Sequence, residues 1–133
     1  MEFLVDSNIV IEVLNAEPRG IEVFRQIALH PCSMSVITYM EVMEGILRFP
    51  PTPLTEQFFS EFLQDYDVLP VTQLVARRCA AIRADLHRKG KRVRPRALDL
   101  LIAATAIEHG LTLVTRNQAD YADIPGLMLF NDF

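Results

Sequence analysis

Residues 99–117 read DLLIAATAIEHGLTLVTRN. The stretch LLIAATA is apolar all round, so a helix formed here is buried on every side. Gly110 stands where a helix C-cap belongs, because glycine enters the left-handed region without a Cβ penalty. LTLVT (111–115) then has the apolar, β-branched character of a short buried strand. A buried helix that passes through a glycine into a buried strand predicts a sheet whose strands are joined by helices.

The alternation extends in both directions. Upstream, EFLVD (2–6) reads as a buried strand and 7–15 as a helix ended by the EPRG turn (17–20). A helix follows at 21–30, with Ile21, Phe24, Ile27 and Ala28 at helical spacing, and Pro31 stops it. CSMSVI (32–37) reads as a second strand, 38–49 as a helix, PPTP (50–53) as a break, and 54–64 as an amphipathic helix. DVLPV (67–71) is a short third strand. Residues 72–90 form a long helix with Leu74, Val75, Cys79, Ile82 and Leu86 on one face, and 97–109 form the apolar helix. Beyond LTLVT, a turn or short helix at 118–122 leads past Pro125-Gly126 to a last strand, LMLF (127–130). The expectation is an α/β fold with a mostly parallel sheet of four to five strands covered on both faces. There are no repeats and no linker, and 133 residues suit one domain spanning 1–133.

Composition is ordinary for a globular chain, with 50% apolar and 23% charged residues. Cys32 and Cys79 are too far apart for a zinc knuckle or a disulfide framework. No basic N-terminal stretch precedes an apolar segment, and LLIAATAI (100–107) is far too short to span a bilayer. A soluble, cytoplasmic protein with no membrane partner is expected. Net charge is −4, yet RKGKRVRPR (88–96) holds Arg88, Lys89, Lys91, Arg92, Arg94 and Arg96, six of the 13 basic residues. The chain is an acidic body carrying one concentrated basic loop.

In a parallel sheet the helix N-termini gather at the edge where the strands end, which is also where open α/β sheets bind ligands. Asp6 ends the first strand. Glu41 falls in the first turn of the helix after the second strand, and Asp99 in the first turn of the helix before LTLVT. Asn117 and Asp120 follow the end of that strand. All five map to one edge. Crowded carboxylates repel one another, and burial raises the cost further. A divalent cation removes both penalties, and oxygen-only ligands suit Mg²⁺ or Mn²⁺. Such an ion orients and deprotonates water for attack on a phosphodiester. His30, His87 and His109 lie at helix ends, none paired with a nucleophile.

Each acid also has a local explanation. Asp6 serves as an N-cap. Glu41 completes a capping box with Thr38. Glu44, one turn further on, is a solvated acid. Asp99 is favoured by the helix dipole. Their common location favours the joint reading. A charge run is ordinarily a solvated loop, but this one overhangs the acidic edge. There Arg92, Arg94 and Arg96, with Arg116, would offset the repulsion between an acidic body and the phosphates of a polyanion. Tyr121 is placed to stack on a base, whereas Tyr39 reads better as core.

Four motifs in order, VDSN (5–8), TYMEVMEG (38–45), DLLIAATAIEHGLTLVTRN (99–117) and ADYADIPGL (119–127), closely resemble those of PIN-domain proteins, in particular the VapC-type toxins of toxin–antitoxin pairs. The resemblance runs nearly end to end. It implies a three-layer α/β/α sandwich and a Mg²⁺- or Mn²⁺-dependent endoribonuclease. It implies inhibition by a cognate VapB-type antitoxin whose tail fills the active-site groove, a homodimer, and contact with operator DNA only through the antitoxin. Carried over by position, Asp6, Glu41 and Asp99 match the core acids. Ser7 keeps the hydroxyl of a position that is often threonine, and Thr115 supports the site. Asn117 stands where many relatives have aspartate, so it is carried as a metal-shell ligand and Asp120 as the source of the fourth charge. Two other readings remain: a non-catalytic PIN-like module that binds RNA or protein, and a metal-dependent phosphatase of small esters.

Overall fold

The computed structural model of the chain describes residues 1–48 and 53–131. Five short strands run parallel in one sheet: β1 Phe3–Val5, β2 Cys32–Ser35, β3 Asp67–Leu69, β4 Thr112–Val114 and β5 Met128–Leu129, in the order β3-β2-β1-β4-β5. Among the described residues, seven α-helices connect them: α1 Ser7–Leu14, α2 Pro18–Ile27, α3 Val36–Arg48, α4 Pro53–Leu63, α5 Gln73–Arg88, α6 Ala97–His109 and α7 Gln118–Tyr121. This is the parallel α/β/α architecture expected. The chain builds outward from β1 through β2 to β3, then returns to lay β4 on the other side of β1. The strand order therefore reverses between β1 and β4, the position at which such sheets open a crevice.

Side-chain alternation on β1 sorts the two faces. Leu4 points into a core built from α5, α6, Leu113 and Tyr121. Phe3 and Val5 point the other way, into a core of α1, α2, α3, Met34 and Val114. The apolar helix α6 is buried at Leu100, Ile102, Ala103, Ala104, Thr105 and Ala106, because it lies under the sheet and against α5 at once. It ends at Gly110, whose φ of 65° lets the Leu111 N–H reach the Ala106 carbonyl at 2.8 Å.

Several boundaries differ from expectation, each for a local reason. Helix α2 begins at Pro18, so the EPRG turn is its first turn. Pro is preorganised for that position and has no N–H to leave unsatisfied there. The helix faces the core through Gly20, Val23 and Ile27 and stops at Ile27 rather than His30. Gly20 is where α1 and α2 touch: a Cβ there would collide with the Glu12 Cβ. The second strand ends at Ser35, whose hydroxyl accepts the Ile37 N–H at 3.0 Å and opens α3 two residues early. Thr38 is thus inside the helix, so the expected capping box with Glu41 does not form. Leu74, expected on the buried face of α5, is exposed beside the Thr72 N-cap. The break expected at 50–53 lies outside the described residues, apart from Pro53 at the start of α4.

Candidate metal centre

The register of β1 and β4 pairs Val5 with Val114 and so brings Asp6 beside Thr115 at the carboxyl ends of both strands. Asp6 is buried, and its two oxygens differ. Oδ1 accepts the Ser7 N–H at 2.8 Å, which makes Asp6 the N-cap of α1. Oδ2 accepts from the Thr115 hydroxyl at 2.8 Å, the Asn8 amide at 3.3 Å and the Tyr121 hydroxyl at 3.4 Å. Capping and site-building are therefore both done by one carboxylate. Burial nevertheless pushes its pKa up, against the pull of the Thr115 and Ser7 hydrogen bonds, and Asp99 adds repulsion.

Glu41 projects from the second turn of α3, a turn later than the sequence suggested. Its Oε1 is buried with no hydrogen-bond partner among the described residues. Desolvation raises its pKa first, then the negative charge of Asp6, with Asp99 and Glu44 adding less; a hydrogen bond from Ser7 works the other way. Asp99 stands in the first turn of α6, half-buried. Its pKa is raised chiefly by burial, lowered by a hydrogen bond from Tyr121, and raised again by Asp120. Asp6, Glu41 and Asp99 thus lie within one another's fields, although they sit on three separate elements. Asp120, on α7, is exposed and acts on the group by repelling Asp99. Asn117 is exposed at the start of α7, and its backbone N–H bonds to the Thr115 hydroxyl at 3.1 Å.

The basic residues divide into two kinds. Arg92 is exposed on the loop before α6, and Arg94 is exposed at the start of the 3-10 turn Arg94–Arg96 that leads into that helix. Arg96 instead grips Asp123 with both terminal nitrogens, at 3.0 and 2.7 Å, and donates to the Asp120 carbonyl at 2.8 Å. Lys91 joins Asp123 at 2.8 Å. Arg116 turns inward and holds buried Glu12 through Nε and a terminal nitrogen at 2.7–3.1 Å.

Sequence reasoning missed four contributors. Tyr121 is only 1% exposed, so its ring cannot stack on a base; its hydroxyl serves Asp6 and Asp99 instead. Asn8, Glu12 and Asp123 were not singled out in sequence, since their roles depend on partners from distant segments: Thr115 and Arg116 for Asn8, Arg116 for Glu12, and Arg96 with Lys91 for Asp123. Tyr39 packs in the core, stacked on Phe59 with ring centres 5.6 Å apart.

The donor set is oxygen only, and Glu41 presents a buried oxygen that no described residue satisfies. Both features fit a hard divalent cation. Among the described residues no three Asp, Glu, His or Cys side chains close around a single point. An ion such as Mg²⁺ keeps several waters and uses one or two carboxylates directly, so its binding does not require all three acids at one point.

A parallel α/β sheet with several carboxylates along the edge at its switch point is the architecture of a defined protein class. The chain belongs to the PIN domain family, whose model matches residues 3–127. It is 28% identical over 127 residues to the "tRNA(fMet)-specific endonuclease VapC" of Shigella flexneri, covering 96% of this chain and 95% of that one. It is 34% identical over 94 residues to "Ribonuclease VapC5" of Mycobacterium tuberculosis, covering 69% and 67%. Among solved structures it resembles the DNA-bound VapBC of Salmonella typhimurium, with a TM-score of 0.84, 30% identity and coverage of 98% and 97%. Among the described residues, no helix is long and apolar enough to cross a membrane.

Proposed function

We propose that the chain is a divalent-metal-dependent endoribonuclease of the VapC type, acting as the toxin of a toxin–antitoxin pair. The observation that carries this reading is the placement of Asp6, Glu41 and Asp99 within one another's electrostatic reach at the sheet's switch point, with Glu41 Oε1 buried and, among the described residues, unbonded. Relatives named as VapC nucleases support RNA as the substrate. Structures that contain VapB with VapC support a VapB-type antitoxin as partner, with DNA reached through it. A homodimer is part of the same reading.

Asp6, Glu41 and Asp99 would hold a Mg²⁺ or Mn²⁺ ion, with Asn117 and Asp120 at the outer rim. When bound, the ion would lower the pKa of a water and neutralise charge on the scissile phosphate. Asp6 Oδ2 is saturated by three donors, so Oδ1, with one, is the oxygen left to offer. Thr115, Asn8 and Ser7 keep the carboxylates from rotating. Arg92 and Arg94 would take the flanking phosphates and offset the acidity of the body.

Purified protein should cut RNA in Mg²⁺ or Mn²⁺. Asp6→Asn and Asp99→Asn should abolish cutting while RNA binding and the circular dichroism spectrum persist. Undiminished cleavage by either variant would refute the assignment. The open spacing of the carboxylates favours one alternative, a module that binds RNA without chemistry; full RNA affinity with no turnover in either metal would establish it. Turnover of small phosphoesters that is indifferent to charge reversal at Arg92 and Arg94 would mark a phosphatase instead.

A further inference from the structure

Glu12 is a buried acid with no place in the chemistry above. Its carboxylate accepts from Arg116 Nε at 3.1 and 3.0 Å, from an Arg116 terminal nitrogen at 2.7 Å, and from Arg19 at 3.1 Å. Its side chain is 9% exposed and that of Arg116 20%. A buried pair of this kind contributes little net stability against a well-packed apolar pair, and its best-attested use is to specify geometry. Here it ties α1 to the loop that follows β4.

We infer that Arg116 is a positioning residue for Asp6, pinned by Glu12 and acting through Asn8 and Thr115. The backbone N–H of Arg116 donates to Asn8 Oδ1 at 3.1 Å. That contact decides which way the Asn8 amide faces. With Oδ1 occupied, Nδ2 turns to Asp6 Oδ2 and to the Thr115 hydroxyl, both at 3.3 Å. The Thr115 hydroxyl, accepting from Asn8 and from the Asn117 N–H, must direct its own proton to Asp6 Oδ2 at 2.8 Å. Each donor and acceptor in the chain has one orientation, and the chain ends on the carboxylate at the centre of the site. Gly20 supports the arrangement from α2, since only a residue without a side chain lets that helix close over Glu12. The fork of Arg116 can thus serve the site's geometry without touching RNA.

The inference rests on the reading of Asp6 as a metal ligand, and two readouts separate the failure of one from the failure of the other. The first needs no metal: in Glu12→Gln and Arg116→Gln, the side-chain amide signals of Asn8 should lose their dispersion and exchange protection in NMR spectra. The second is Mn²⁺ affinity by calorimetry, expected to fall about tenfold in Glu12→Gln, Arg116→Gln and Asn8→Ala, as for other groups that orient metal ligands. The double variant Glu12→Gln/Arg116→Gln should be no worse than either single change. Asn8→Ala, at a half-exposed position, covers the case in which the buried changes unfold the chain. Unaltered Mn²⁺ affinity in folded variants would overturn the inference. So would an Arg116→Gln effect confined to the salt dependence of RNA binding, the mark of a phosphate contact. If the Asn8 signals move but the native protein binds no Mn²⁺, the positioning role stands and the metal reading falls.

Discussion

Glu41→Gln should make the metal-free protein more stable at neutral pH. Glu41 places a carboxylate oxygen in a buried position with no partner among the described residues and faces the charges of Asp6, Asp99 and Glu44. Glutamine keeps a polar group in that place but carries no charge, so what it relieves is the burial of a carboxylate charge and its repulsion by the neighbouring acids; half-burial and the Ser7 hydrogen bond keep that to about 1 kcal/mol. In a domain of this size that corresponds to a rise of roughly 3–4 °C in Tm. The sign with pH follows from the raised folded-state pKa of Glu41. The glutamate's relative stability is greatest below the unfolded carboxylate range and is lost as pH rises through the folded value. The advantage of glutamine is therefore full at neutral pH and vanishes in acid, where Glu41 is itself protonated. Added metal should invert the order. At a concentration 100 times its Kd, an ion gains the native protein about 2.7 kcal/mol, roughly 8–10 °C, and the variant much less. Thermal melts of both proteins at neutral and acidic pH, with EDTA or Mg²⁺, test all three statements. A variant less stable than the native protein in EDTA at neutral pH, or equally responsive to Mg²⁺, would refute the reasoning.

Charge reversal at exposed Arg92 and Arg94 should leave the melting curve unchanged, weaken RNA binding, and reduce the slope of log affinity against log salt by about one per lost phosphate contact; an unchanged slope would place the RNA elsewhere. Asp123→Asn should cost about 1 kcal/mol, since the Arg96 fork is bidentate but partly exposed. Arg96, and then Lys91, hold the Asp123 pKa well below the usual carboxylate range, so its contribution is present above the unfolded pKa and lost as pH falls through the folded one. Urea denaturation should accordingly show the difference at neutral pH and its disappearance only in strong acid. Gly20→Ala should destabilise by about 1–3 kcal/mol through overpacking against Glu12, and an unchanged urea midpoint would mean that α2 slides aside at no cost.

What the sequence revealed depended on how far each signal reached along the chain. Helix α6, Gly110 and β4 were legible because all-round apolarity and a left-handed cap are local properties. Asp6, Glu41 and Asp99 could be assigned to one edge because parallel topology alone sends strand ends and helix starts there. Their partners were not legible. The Tyr121 hydroxyl reaches Asp6 across 115 positions and Arg116 reaches Glu12 across 104, so nothing in either neighbourhood announces the other. Arg96 and Arg116 read as phosphate contacts for the same reason, because the acids that hold them lie on other segments. The start of α3 was misplaced because Ser35 and Thr38 are equally good caps by type. The choice between them was made by burial, which put Thr38 inside the helix against the core.

The most direct test is diffraction from crystals grown with Mn²⁺, using its anomalous signal to locate the ion. A peak should lie at the carboxyl ends of β1 and β4, bonded to Asp6 Oδ1 and within direct or one-water reach of Glu41 and Asp99. A crystal saturated with Mn²⁺ that shows no peak there, from protein that still cuts RNA, would contradict the site.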